Sequence, residues 1–127
     1  MTLSEKSVQL HGQKLNCAQS VLGACSEYTG IDEKLAYAIS VGFGGGVRAG
    51  EICGAISGAV MAIGKVCSDK GHPELAAGYA KALVNEFREK YGSARCIELK
   101  QNGHPCDELI AAAAEYAENA LNDIIKL

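Results

Sequence analysis

GFGGGVRAGEICGAISG, residues Gly42 to Gly58, places seven glycines in seventeen residues, with Cys53 among them. Three readings compete for it: a loop that cradles a phosphate, a backbone that must pass close to another helix, or a setting that makes Cys53 reactive. Gly44, Gly46 and Ala49 satisfy a GxGxxG/A pattern. The dinucleotide fingerprint, however, needs a strand before it and a βαβ unit around it, and here a helical pattern comes first. No GK[ST] follows, which removes the P-loop. Gly50, Gly54 and Gly58 recur every four residues, so on a helix they share one face where a second backbone or a bound ligand can come close. Gly44 to Gly46 would supply the left-handed conformations that turn the chain into that helix.

Outward from this stretch the apolar period is helical almost everywhere, with no alternation of the kind a half-buried strand shows. The expected fold is all-α, a compact bundle of about five helices forming a single domain over residues 1–127. The first helix runs from about Ser4 to Tyr28, with Val8, Leu15, Val21 and Leu22 inward and Thr29-Gly30 ending it. Asp32 caps the second, which continues into the glycines. The third, about Glu51 to Ser68, is rich in Ala, Gly, Ile and Val and should be the most buried. Pro73 suits the first position of a fourth helix, Pro73 to Tyr91, stopped by Gly92. A short segment, SARCIELK, and a polar turn, QNGHP, lead to the fifth, about Asp107 to Ile125.

A formal charge of -3, from 15 acidic and 12 basic residues without a block of either sign, makes nucleic acid and anionic membrane poor partners. The uncharged stretch Ile52 to Gly64 is too short for a membrane span of roughly 20 residues. MTLSEKSVQLHGQK at the N-terminus is polar and charged where a signal peptide needs an apolar run, so a cytoplasmic location is expected. Six cysteines in a reducing compartment point to metal ligation or redox work rather than structural disulfides.

Cys53 falls in the first turn of the third helix, where unpaired N–H groups and the helix dipole stabilise an anion such as a thiolate. Arg48, just upstream, would add positive potential. The expectation is a depressed pKa and a catalytic role as a reactive thiolate, with Arg48, Gly54 and Gly58 binding any cofactor pressed against the glycine face.

The motif Cys53-Gly54-Ala55-Ile56-Ser57-Gly58, preceded by GFGGGV from Gly42 to Val47, resembles the CGAxxG core of the C-GCAxxG-C-C family. Members are described as redox-active, without a firmly assigned reaction. NCAQSVL, Asn16 to Leu22, is similar to the segment bearing the family's first cysteine, and FREKYGSARCIEL, Phe87 to Leu99, to that bearing the third. Cys106 occupies the place of the fourth. The resemblance covers essentially the whole chain and implies Cys17, Cys53, Cys96 and Cys106 as the family cysteines.

Cys25 and Cys67 are then extras. On straight helices they would lie about 12 Å beyond Cys17 and roughly 21 Å beyond Cys53 along the axis, too far for one small site.

None of the six belongs to a CxxC pair, so any site is assembled by the fold. Four converging thiolates are the ligand set of a [2Fe-2S] or [4Fe-4S] iron-sulfur cluster, which implies electron transfer with a redox partner protein, an oxidoreductase. Thiol-disulfide exchange led by Cys53, with no cofactor, is the alternative. A structural zinc site in an interaction module is the third reading. A homodimer is compatible with small glycine-rich helices. His104, beside Asn102, Gly103 and Pro105, reads as a turn residue, His72 as a helix-start residue, and His11 has no recognisable partner.

Overall fold

Helices begin where side chains satisfy their first backbone N–H groups, and two capping boxes set the register of the N-terminal third. Thr2 with Glu5 starts α1 (Leu3–His11), and Asn16 with Gln19 starts α2 (Cys17–Ala24). A single turn, α3 (Ser26–Thr29), ends at Gly30 in the left-handed conformation, and Asp32 caps α4 (Glu33–Ser40). These coordinates, a computed structural model, describe all 127 residues. The central helix is α5 (Gly54–Asp69), followed by α6 (Ala76–Tyr91), α7 (Cys96–Gln101) and α8 (Cys106–Ile124).

The fold is all-α, as the periodicity requires, but with eight helices rather than about five. The single helix expected from Ser4 to Tyr28 is broken twice. After His11 the chain turns through Lys14, which has φ 70°, and Asn16 then opens a new helix. A second break falls at Cys25, which caps both α2 and α3. SARCIELK also contains a helix, α7, and Pro73 begins a short 3-10 turn, Pro73–Leu75, ahead of α6. Gly30 and Gly92 stop their helices in left-handed conformations as expected.

α5 buries Ala55, Ile56, Ala59, Ala62, Ile63 and Val66, and packs against α2, α8 and α6. α8 meets it with an alanine-rich face, Ala113, Ala114, Ala117 and Ala120, that keeps the two axes close. α1 lies across α8 and α2. No helix is long and apolar enough to cross a membrane.

The closest approach is between α2 and α5. At Gly58 a Cβ would stand 2.7 Å from the Ala18 carbonyl oxygen and 3.1 Å from the Val21 Cβ. Gly54, one turn earlier, lies so close to Cys17 Sγ that no side chain fits between them. Gly50, expected on the same face, is not on α5; it has φ 73° in the turn before it.

The same substitution at two positions of α5 should therefore have opposite signs. Gly58→Ala forces helices apart and should destabilise by about 2 kcal/mol despite alanine's better helix propensity. Gly64→Ala, with nothing within 4 Å of the new carbon, should stabilise by up to about 1 kcal/mol. Urea denaturation of both variants checks this, and equal effects would contradict it.

Candidate functional site

Four of the eight helices start at a cysteine. Cys17, Cys96 and Cys106 are the first residues of α2, α7 and α8, and Cys53 is the N-cap of α5. All four line one cavity of about 190 Å³. Cys25 and Cys67, by contrast, are fully buried in the apolar core and do not reach it.

Each cysteine is brought there by a different contact. Ile52 and Arg95 form an isolated antiparallel bridge. Within it the Cys53 N–H donates to the Ala94 carbonyl at 2.9 Å and the Cys96 N–H to the Glu51 carbonyl at 2.6 Å, fastening the starts of α5 and α7 together. The Arg95 guanidinium reinforces the bridge by holding the Glu51 carboxylate at 3.3 Å. Cys17 is set against Gly54, while the preceding Asn16 donates its Nδ2–H to the Val41 carbonyl at 2.9 Å. Beside Cys106, Asp107 pairs with His11 Nδ1 at 2.7 Å, which ties the end of α1 to the start of α8.

The remaining walls are His11 and Asn16, the apolar Leu109 and Ile110 of α8, Lys100 of α7, and Gly45 and Arg48 of the glycine turn. That turn is unusual. Gly45, Gly46, Val47 and Arg48 all have φ between 59° and 65°, a left-handed turn four residues long, closed by the Glu51 N–H donating to the Gly46 carbonyl at 3.1 Å. Glycine adopts this freely. For Val47, β-branched, and Arg48 it costs on the order of 1–3 kcal/mol each, strain of the kind that functional sites store. Gly44, expected to be left-handed, is extended instead.

The expected activation of Cys53 is not what the site provides. Burial pushes its thiol up to about 12; the Ala55 and Ile56 N–H groups at the helix start pull the other way, and the neighbouring thiolates of Cys17 and Cys96 add to the rise. Cys53 is thus held as the thiol at neutral pH. Arg48 is exposed and is not among the charges acting on it. Desolvation in a nearly closed position outweighs the helix start. Burial also raises the Cys106 thiol, with Cys17 and Cys96 acting in the same direction and Lys100 against them. Cys17 and Cys96 thus act on both Cys53 and Cys106.

All six cysteines are free thiols, and no three His, Cys, Asp or Glu side chains close on a point as one metal ion would need. Of the residues expected to bind a cofactor, Arg48 lines the cavity, Gly54 backs Cys17, and Gly58 is remote, spent on helix packing. His11 is the residue the sequence concealed, since its partner Asp107 lies 96 positions away. Lys100, Leu109 and Ile110 were equally unmarked. His104 is half-buried with its ring edge-on to Tyr91 at 5.0 Å, and stands outside the lining. His72 caps the turn at Pro73, as its neighbour suggested.

Iodoacetamide treatment of the metal-free, reduced protein at pH 7 should therefore label exposed Cys106 first and Cys53 last among the four cysteines, by peptide mass spectrometry. Labelling of Cys53 ahead of Cys106 would restore the activated thiolate.

Comparison with known proteins bears on this arrangement of thiols. Residues 15–120 match the family described as "Putative redox-active protein (C_GCAxxG_C_C)". No curated protein and no solved structure shows significant similarity to the chain. The matched span includes all four cysteines of the cavity and most of the elements that bring them together, and on that match the chain belongs to the C_GCAxxG_C_C family of redox-active proteins.

Proposed function

We propose that this redox-active chain transfers electrons through an iron-sulfur cluster, [2Fe-2S] or [4Fe-4S], ligated by Cys17, Cys53, Cys96 and Cys106. One observation carries the reading: four thiols from four helix starts surround a single cavity without closing on a point. A mononuclear zinc site draws four sulfurs to about 2.3 Å from one centre. A cluster has a body of its own and is held from the outside. When bound it supplies one-electron exchange at a potential set by hydrogen bonds and burial.

The chain's own residues fit that task. Gly54 leaves room beside Cys17, and N–H groups at the start of α5 act on the Cys53 sulfur, the kind of donors that tune a thiolate ligand. Leu109 and Ile110 keep one wall apolar. Cys53 is buried, with Cys17 and Cys96 adding to the rise of its thiol, and a bound cation would offset both effects. The same features count against thiol-disulfide exchange led by Cys53, whose thiolate is scarce at neutral pH.

Loading must displace the Cys53 proton, which the metal-free protein otherwise holds until about pH 12. Affinity should accordingly rise with pH, by roughly tenfold per unit for each proton released.

Protein reconstituted without oxygen from ferric iron, sulfide and a small thiol as reductant should show visible charge-transfer bands and bind both elements. Cys17→Ser, Cys53→Ser, Cys96→Ser and Cys106→Ser should each lose the bands and most of the iron. Cys25→Ala and Cys67→Ala should keep them at a cost of about 1–2 kcal/mol in stability. Colourless protein carrying only zinc, or bands that survive both Cys96→Ser and Cys106→Ser, would overturn the reading.

A further inference from the structure

Large apolar side chains left in solvent are not scattered over this molecule. Ten are exposed, and apart from Leu75 and three at the chain ends they are Leu35, Ile39, Val41, Phe43, Val47 and Ile97, each 38–53 % exposed. These six fall on elements that touch in sequence: α4 packs on the turn Val41–Phe43, that turn on Gly46–Gly50, and the latter on α7. The last two elements also form the rim of the cysteine cavity, through Gly45, Arg48, Cys96 and Lys100. Large apolar side chains exposed on neighbouring elements beside a site mark a place where something docks.

The charges around this surface say what kind of partner fits. Its carboxylates are already engaged: Glu33 with Lys6, Glu51 and Glu98 with Arg95, and Asp107, beside the cavity, with His11. Arg48 and Lys100, at the cavity mouth, and Lys34, next to Leu35 on α4, have no acidic partner within 4 Å. Segments 32–51 and 95–101 carry four basic residues (Lys34, Arg48, Arg95, Lys100) and four acidic ones (Asp32, Glu33, Glu51, Glu98), no net charge in a chain whose total is -3. Asp32 is taken up as the cap of α4, accepting the Leu35 N–H, which leaves the three cations as the side chains of this face without a partner.

We propose that this face, apolar with Arg48, Lys100 and Lys34 at its border, is the docking surface for a redox protein that presents an acidic rim around its own centre. The inference rests on the electron-transfer reading for the reason a partner comes, but the contact itself involves no chemistry. Steering by three unpaired cations gives fast, salt-sensitive encounter, and the apolar patch supplies the area that holds the pair.

The test is calorimetric titration of the anaerobically purified full chain with an acidic plant-type ferredoxin as probe and a basic cytochrome c as control, with iron and sulfide determined on every sample. Binding of the ferredoxin at low salt should weaken at least about tenfold between roughly 20 and 200 mM salt, and cytochrome c should bind far more weakly. Lys34→Glu and Ile39→Ser, away from the cysteines, should each weaken ferredoxin binding about tenfold with iron content unchanged, Arg48→Glu and Lys100→Glu likewise weakening it, while Lys81→Glu on α6 should not. The proposal is overturned if ferredoxin fails to bind, if those variants bind as the parent does, or if the face proves to mediate self-association abolished by Ile39→Ser. Iron-loaded protein that ignores ferredoxin sinks the docking surface alone. Protein that binds ferredoxin through this face yet takes up no iron sinks the cluster alone.

Discussion

The absence of a side chain at Gly54 is the constraint on which the site depends. Any Cβ there would occupy the space of the Cys17 sulfur, and with Gly58 pressed on Ala18 and Val21 one turn later, α2 and α5 meet backbone to backbone. That contact fixes the first two cysteines relative to each other. The bridge between Ile52 and Arg95 adds the third, through two backbone hydrogen bonds made by Cys53 and Cys96 themselves. Three of the cysteines are thus placed by main-chain contacts, whereas Cys106 is brought in beside the side-chain pair of His11 and Asp107.

Placing thiols at helix starts has two opposed consequences. Free N–H groups and aligned peptide dipoles favour negative charge there, whereas burial and the neighbouring sulfurs oppose it. For Cys53 the second effect wins, and its thiol is pushed up. A cationic occupant reverses the balance, since it converts the crowding of sulfurs from repulsion into shared ligation while the N–H donors remain. Strain in the turn at Val47 and Arg48 is compatible with this economy: the chain accepts an unfavourable backbone to bring a cation and an apolar side chain to the rim.

Much of this was legible in the sequence, and what was not has identifiable causes. Periodicity and the stop signals at Gly30 and Gly92 foretold an all-helical chain, because both are local. The break between α1 and α2 went unseen since the apolar spacing of Val8, Leu15 and Val21 continues across it; the capping box of Asn16 and Gln19 was the available signal. The four cysteines were picked out by family resemblance, whereas their meeting at one cavity depends on contacts such as Ile52 with Arg95 and His11 with Asp107 that no local pattern announces. For Cys53 the same division holds. Its position at a helix start can be read from the sequence, but its burial is a tertiary property that reverses the sign of the pKa shift.

The central claim is that four cysteines act as the ligand set of one polynuclear centre, and X-ray absorption at the iron and zinc edges of the anaerobic protein tests it most directly. The account predicts iron in an all-sulfur shell with a second shell of neighbouring iron, both lost together in Cys96→Ser. Zinc in a four-sulfur shell without a metal neighbour, or iron bound through oxygen or nitrogen, would contradict it.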